Sequence, residues 1–97
     1  HGTGVFDFNA AMKMAEVSKP TAVADHGFIY VKDDSGTAEV FVLDAADNET
    51  KISPHNDNGE WEYYSRNSRT GKTVRINMEA MIRDLETFTG NKYIESE

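Results

Sequence analysis

The stretch from Trp61 to Phe88 does most to limit what this chain can fold into. It opens with Trp61-Glu62-Tyr63-Tyr64-Ser65-Arg66, turns through Asn67 to Gly71, and returns through Lys72-Thr73-Val74-Arg75-Ile76. Side chains alternate along a strand, so Trp61, Tyr63 and Ser65 share one face and Glu62, Tyr64 and Arg66 the other. Gly71 stands where a left-handed residue closes a hairpin loop. These features predict a β-hairpin over about 60–76, with Trp61, Tyr63, Val74 and Ile76 turned together into the core. Beyond it, Met78, Met81, Ile82, Leu85 and Phe88 fall three, one, three and three residues apart, which is one apolar stripe on a helix. Asn77 is a suitable N-cap, Glu79 sits in the first turn where the helix dipole favours an acid, and Gly90 follows as a C′ residue. A helix over 78–89 follows, with Glu79–Arg83 and Arg83–Glu86 pairs worth about 0.2–0.5 kcal/mol each.

Upstream the pattern is β. Phe28-Ile29-Tyr30-Val31 and Thr37 to Leu43 are rich in β-branched and aromatic residues, with the turn cluster Asp33 to Gly36 between them. A second turn, Asp44 to Asn48, leads into Glu49-Thr50-Lys51-Ile52 and completes an antiparallel meander over about 27–52. Val31-Lys32-Asp33 echoes Val42-Leu43-Asp44 eleven residues later, but two copies do not make a solenoid. Residues 1–20 stay open between two conformations. Asn9 caps a short helix over Ala10 to Glu16, yet Met12 and Met14 also alternate with Lys13 and Ala15 as on a strand. Pro20 ends either one. The expected organisation is therefore an N-terminal segment (1–20), a meander (21–53), and a hairpin with its helix (54–97), forming one α+β, mostly β, unit.

The chain has no cysteine, which removes disulfides and thiolate metal sites. Seventeen acidic against ten basic residues give a formal charge of −7, which repels nucleic acid and anionic lipid. No apolar run is long enough to span a bilayer, so membrane insertion is not expected. His1, His26 and His55 lie in separate segments without metal-ligand spacing, no glycine-rich phosphate loop exists, and no serine sits in a nucleophile-elbow context. An enzyme is not expected, nor a cofactor or metal. Asn56-Asp57-Asn58-Gly59-Glu60 touches the calcium-loop pattern, but an EF-hand wants an acid where Pro54 stands and a glutamate where Ser65 stands. It reads as a polar turn. The turns Asp33-Asp34 and Asp44 to Asp47 lie at opposite ends of the second strand and do not combine.

Trp61 and Tyr63, with Met78, Met81, Ile82, Leu85 and Phe88, are expected to form either the core or an oligomer seam. The helix letters also fit a heptad, though fewer than two repeats do not establish a coiled coil. Tyr64 faces away from Trp61 and, with Asn56 and Asn67 in the polar turns, is the candidate surface contact.

The segments Met14-Ala15-Glu16, His26-Gly27-Phe28-Ile29-Tyr30-Val31-Lys32-Asp33 and Ser35-Gly36-Thr37-Ala38-Glu39-Val40-Phe41-Val42 resemble a segment recurring in bacteriophage tail-fibre and related virion proteins. Ile52-Ser53-Pro54-His55-Asn56, Gly59 to Ser65, Thr70-Gly71-Lys72, Asn77-Met78-Glu79 and Leu85-Glu86 resemble a C-terminal module found with it. The resemblance covers roughly residues 12–94. It departs at Asn48, where glycine is expected, and at His26, where an aromatic is common. It implies a structural virion protein: an intertwined homotrimer whose C-terminal part registers three chains or forms the tip of the fibre and contacts a host glycan or protein. A trimer would also pack Met12 to Val17 as an extended segment. The alternative is a glycan- or protein-binding module with no role in a shaft. The start at His1 is expected to mark a fragment, with His1 to Gly4 an expression remnant; a self-processed segment is the other reading of that start.

Overall fold

The computed structural model describes residues 9–95; the expectations for His1 to Gly4 lie outside them. Five strands, β1 (Phe28–Asp34), β2 (Thr37–Leu43), β3 (Asn48–Lys51), β4 (Glu62–Asn67) and β5 (Thr73–Asn77), precede one helix, α1 (Met78–Thr89). The strands form a single antiparallel sheet in sequence order. Pairing of Glu49 with Arg66 and Thr50 with Ser65 joins the meander to the hairpin. The α+β, mostly β, expectation holds.

Turn chemistry sets the register. Ser35 and Gly36 both take positive φ (55° and 94°) between the paired Asp34 and Thr37, the two-residue loop that matches strand twist. In the second turn Asp47 supplies the left-handed residue at φ 70°, and the Asp44 carboxylate accepts the Ala46 and Asn48 N–H groups at 3.0 and 2.9 Å. Gly71 takes φ 77° and donates to the Asn67 carbonyl, closing the last hairpin as its position predicts. The helix begins and ends where its caps place it: Asn77 Oδ1 accepts from the Ala80 N–H at 2.9 Å, and Gly90 is left-handed. The Glu79–Arg83 pair forms at 3.2 Å. Arg83–Glu86 does not, because Glu86 instead accepts the Tyr93 and Ile94 N–H groups of the returning tail.

Residues 9–20 form no helix. Glu16 makes a parallel bridge to Val31, and the Val17 N–H donates to the Val31 carbonyl at 2.7 Å. A helix ending before Pro20 would be short and weak in water, and edge pairing with β1 satisfies the backbone better.

The sheet is strongly coiled. Its edge strands β1 and β5 would stand roughly 19 Å apart if four strand spacings were laid flat. Yet Arg75 Nη2 lies 3.3 Å from Asp34 Oδ1. The sheet curls into a trough, and the core sits inside it: Tyr30, Phe41 and Leu43 are buried, with Ala22, Phe28 and Tyr64 packed against them. Phe41 stacks on Tyr30 at 5.9 Å and meets Tyr64 edge-on at 6.4 Å. Each fully buried side chain of this size contributes roughly 1.5–3 kcal/mol.

One expectation is corrected. Trp61, Tyr63, Val74 and Ile76 do share a face, but that face is the outside of the trough; Trp61 and Tyr63 are 45% and 43% exposed. Curling puts the opposite parity inward, so Tyr64, expected at the surface, lines the core.

Candidate functional site

The two faces of the sheet divide the residues in an unusual way. The concave face carries Lys32, Asp34, Glu39, Glu49, Lys51, Glu62, Arg66 and Arg75 beside the aromatic core. Among the described strand residues the convex face carries one charge, Asp33. Two rows cross it: Ile29, Val42, Thr50, Ser65 and Val74, then Val31, Val40, Ile52, Tyr63 and Ile76. Ile29 is 58% exposed, and Ile52, Tyr63 and Ile76 are open as well, whereas Val40, Val42 and Val74 are half-buried and Val31 is buried.

Inside the trough six of these eight charges form ion pairs, while Glu39 accepts from the Ser53 hydroxyl and Arg66 donates to Thr73 Oγ1 at 2.7 Å. Lys51, whose side chain is fully buried, donates to Asp34 Oδ2 at 2.8 Å, Glu62 Oε2 at 2.7 Å and the His55 carbonyl at 2.8 Å. Arg75 closes the cluster from β5 at 2.6 Å from Glu62 and lies over the Tyr64 ring at 4.3 Å. At the other end, Glu49 accepts from the Tyr30 hydroxyl and from Lys32 Nζ at 2.8 Å. Among the described residues no buried side-chain polar atom lacks a partner. Desolvation this deep is tolerated because each of these buried polar atoms has a partner.

Burial alone would raise the Asp34 and Glu62 pKa values. Hydrogen bonds and charge from Lys51 and Arg75 outweigh it and hold both below the usual carboxylate range. Lys51 is pushed down by burial and up, further, by Asp34 and Glu62. A lowered carboxylate contributes stability that is complete above its unfolded pKa, about 4, and is lost as pH falls through the folded value. Melting temperature is therefore expected to be flat around neutrality and to drop on acidification below about pH 4. Melts of Glu62→Gln across the same range check the assignment: the variant should start lower at pH 7 and lose less on acidification. A slope identical to that of the parent would remove Glu62 from the acid response.

The helix is almost unsupported. Among the described residues it buries none, and its main contact with the sheet is at the β4 end, where Glu79 N–H donates to the Trp61 carbonyl at 3.2 Å. Met78 and Ile82 are half-buried, whereas Met81 and Leu85 are open and Phe88 is 89% exposed. The stripe is thus split: one flank leans on the hairpin and the tail, and the other faces solvent. An isolated helix of twelve residues is marginal in water even with good caps. The seam candidates therefore lie outside this chain's own core.

The candidate surface contacts are already engaged. Tyr64 is held between Phe41 and Arg75. Asn56 Oδ1 accepts the Asn58 and Glu60 N–H groups at 3.0 Å, and Asn67 Oδ1 accepts those of Arg69 and Thr70 at 3.0 Å, so both side chains hold their own turns. Among the described residues no three His, Cys, Asp or Glu side chains gather as a metal site. Sequence reasoning missed the buried ion cluster. Its trace is the parity these charges share with the core aromatic Tyr64 of the same sheet face: Glu62 lies two residues from Tyr64, Arg75 stands opposite it, and Lys51 stands opposite Phe41.

The chain exposes 7289 Å², against about 5,600 Å² for a folded monomer of its mass. Its radius of gyration is 17.2 Å, where a compact domain of this length gives about 12–13 Å. No family model, curated protein or solved structure matches this chain.

Proposed function

We propose that this chain is an assembly module, whose convex sheet face and free helix flank are covered by other copies of itself. In the role implied by the resemblance, it is the C-terminal trimerisation or tip module of a phage tail fibre. It is a structural virion protein rather than an enzyme. The observation that carries the assembly reading is the inversion of the sheet: the charged face is inside and the nearly uncharged face is outside. A soluble monomer keeps charge at its surface and does not leave a broad apolar face open. The excess of about 1,700 Å² over a compact monomer exceeds the roughly 800 Å² that each partner of a stable complex covers.

Self-association suits the charge distribution. Copies with a formal charge of −7 repel one another, so contact must be made through surface that carries almost no charge. The convex face is such a surface. Host attachment remains part of the proposed role at the tip. The alternative, a glycan- or protein-binding module acting through Tyr64, Asn56 and Asn67, has less support, because these side chains are committed to the fold.

Sedimentation equilibrium of the chain tests the reading. The expected mass is that of three chains of 10.9 kDa. A folded monomer at tens of micromolar would overturn the assembly reading, and a stable dimer would keep assembly but remove the trimer.

A further inference from the structure

We infer that Phe88 of one copy seats in a cleft on a neighbouring copy, formed by Trp61, Ile82, Tyr93 and Ile94. This deepens the assembly reading and rests on it.

The cleft comes from three elements. The end of the hairpin supplies Trp61, the supported flank of the helix supplies Ile82 and Glu79, and the tail returns across that flank to supply Tyr93 and Ile94. The tail is held there by Glu86, which accepts the Ile94 N–H at 2.7 Å and also the Tyr93 N–H. The resulting space is about 380 Å³, open to solvent, and mostly apolar. Its one carboxylate, Glu79, has a cation within reach, with Oε2 accepting from Arg83 at 3.2 Å. An uncharged aromatic ring therefore meets no isolated charge on entering.

Phe88 is the matching group. At 89% exposure it is the most exposed large apolar side chain among the described residues. It stands six positions after Ile82, about 120° around the helix at 3.6 residues per turn. Phe88 consequently points away from its own chain's cleft. Met81 precedes it by seven residues on nearly the same line, so the knob sits at the end of an apolar ridge.

The occupant is a second copy for three reasons. The chain's exposed area exceeds that of a compact monomer by about twice what a stable interface takes from each partner. The formal charge of −7 disfavours copy-to-copy contact through unpaired charge; the Phe88 ring carries none, and the one carboxylate of the cleft, Glu79, is paired with Arg83. The cleft also adjoins the convex face, since Trp61 lies on the same side of its strand as Tyr63. A ring of copies related by a rotation would repeat this contact at every junction, as a closed cyclic assembly requires.

The absence of native cysteine and the single tryptophan make the contact measurable. Phe88→Cys and Tyr93→Cys, prepared separately and mixed under oxidising conditions, are expected to give a disulfide-linked pair more abundantly than either variant alone. Phe88→Ala is expected to weaken assembly about thirtyfold, the size of an aromatic hot spot. Its Trp61 emission should shift red at concentrations where the parent is assembled, and its far-UV circular dichroism at dilution should match the diluted parent. Phe88→Leu should recover part of the loss. An assembled parent whose mass and Trp61 emission are unchanged by Phe88→Ala, with no mixed disulfide, overturns this contact and leaves the assembly reading standing. A monomeric parent overturns both.

Discussion

Lys51→Met is expected to destabilise the chain by about 3–5 kcal/mol, the loss that follows when one partner leaves a buried ion cluster. Methionine keeps most of the apolar stem but removes the ammonium shared by Asp34 and Glu62. Two carboxylates would then face each other inside the trough with Arg75 as their only cation. Arg75 is at the rim, its side chain 42% exposed, and cannot replace a fully buried partner. Small domains have roughly 5–15 kcal/mol in total, so most of the margin is at stake. Urea denaturation measures the effect, and a shift in midpoint without a change in slope would show that only stability changed. The double variant Lys51→Met with Glu62→Leu should lose less than the two single losses added together, because it removes one of the orphaned charges along with the ammonium. Strict additivity would mean that the two side chains act independently despite their 2.7 Å contact.

The same cluster explains what was legible in the chain and what was not. Local chemistry was legible: the helix from Asn77 to Gly90, the hairpin closed at Gly71 and the turns at Asp33 to Gly36 follow from capping and from φ preferences. Each signal acts over a few residues. The sharing of one side by Trp61, Tyr63, Val74 and Ile76 was also legible, because parity is fixed along a strand. Which side becomes the interior was not. That depends on the coiling of five strands, which brings Asp34 to Arg75 across 41 positions of sequence. Hydrophobicity then misleads, since the usual inference sends the apolar face inward. Here the inward face holds Tyr30, Phe41, Leu43 and Tyr64 together with paired charges, and aliphatic side chains are left outside. Glu49 and Lys51 looked like ordinary polar residues of a short strand, yet they are 2% and 3% exposed.

The inversion also bears on specificity. Apolar faces pack promiscuously, whereas a buried and fully satisfied ion network tolerates few arrangements of its strands. Asp34, Lys51, Glu62 and Arg75 join β1, β3, β4 and β5, so a register slip in any of them would break at least one pair. A network of this kind fixes the curvature of the trough. It thereby fixes the shape of the convex face that neighbouring copies must fit.

Tyr63→Lys is expected to separate assembly from folding. Tyr63 stands opposite Ile76 on the convex face, touches none of the buried aromatic cluster, and is 43% exposed in the single chain. Substitution at such a position costs the isolated fold within about 0.5 kcal/mol. At the centre of an interface, loss of a tyrosine costs about 2–4 kcal/mol, or roughly 30- to 1,000-fold in affinity. Lysine is the informative replacement because it reduces the net negative charge. Weaker assembly then reflects desolvation of the new ammonium and lost packing, not added repulsion between acidic chains. Tyr64→Ala, one residue away on the opposite face, should do the reverse: it removes an aromatic from the core and lowers stability at every concentration. The measurement is melting temperature against protein concentration. Where folding is coupled to association, the parent's melting temperature rises with concentration. Tyr63→Lys should flatten that dependence, whereas Tyr64→Ala should keep the slope and shift the curve downward. A Tyr63→Lys curve parallel to that of the parent would mean that the convex face is not where the copies meet.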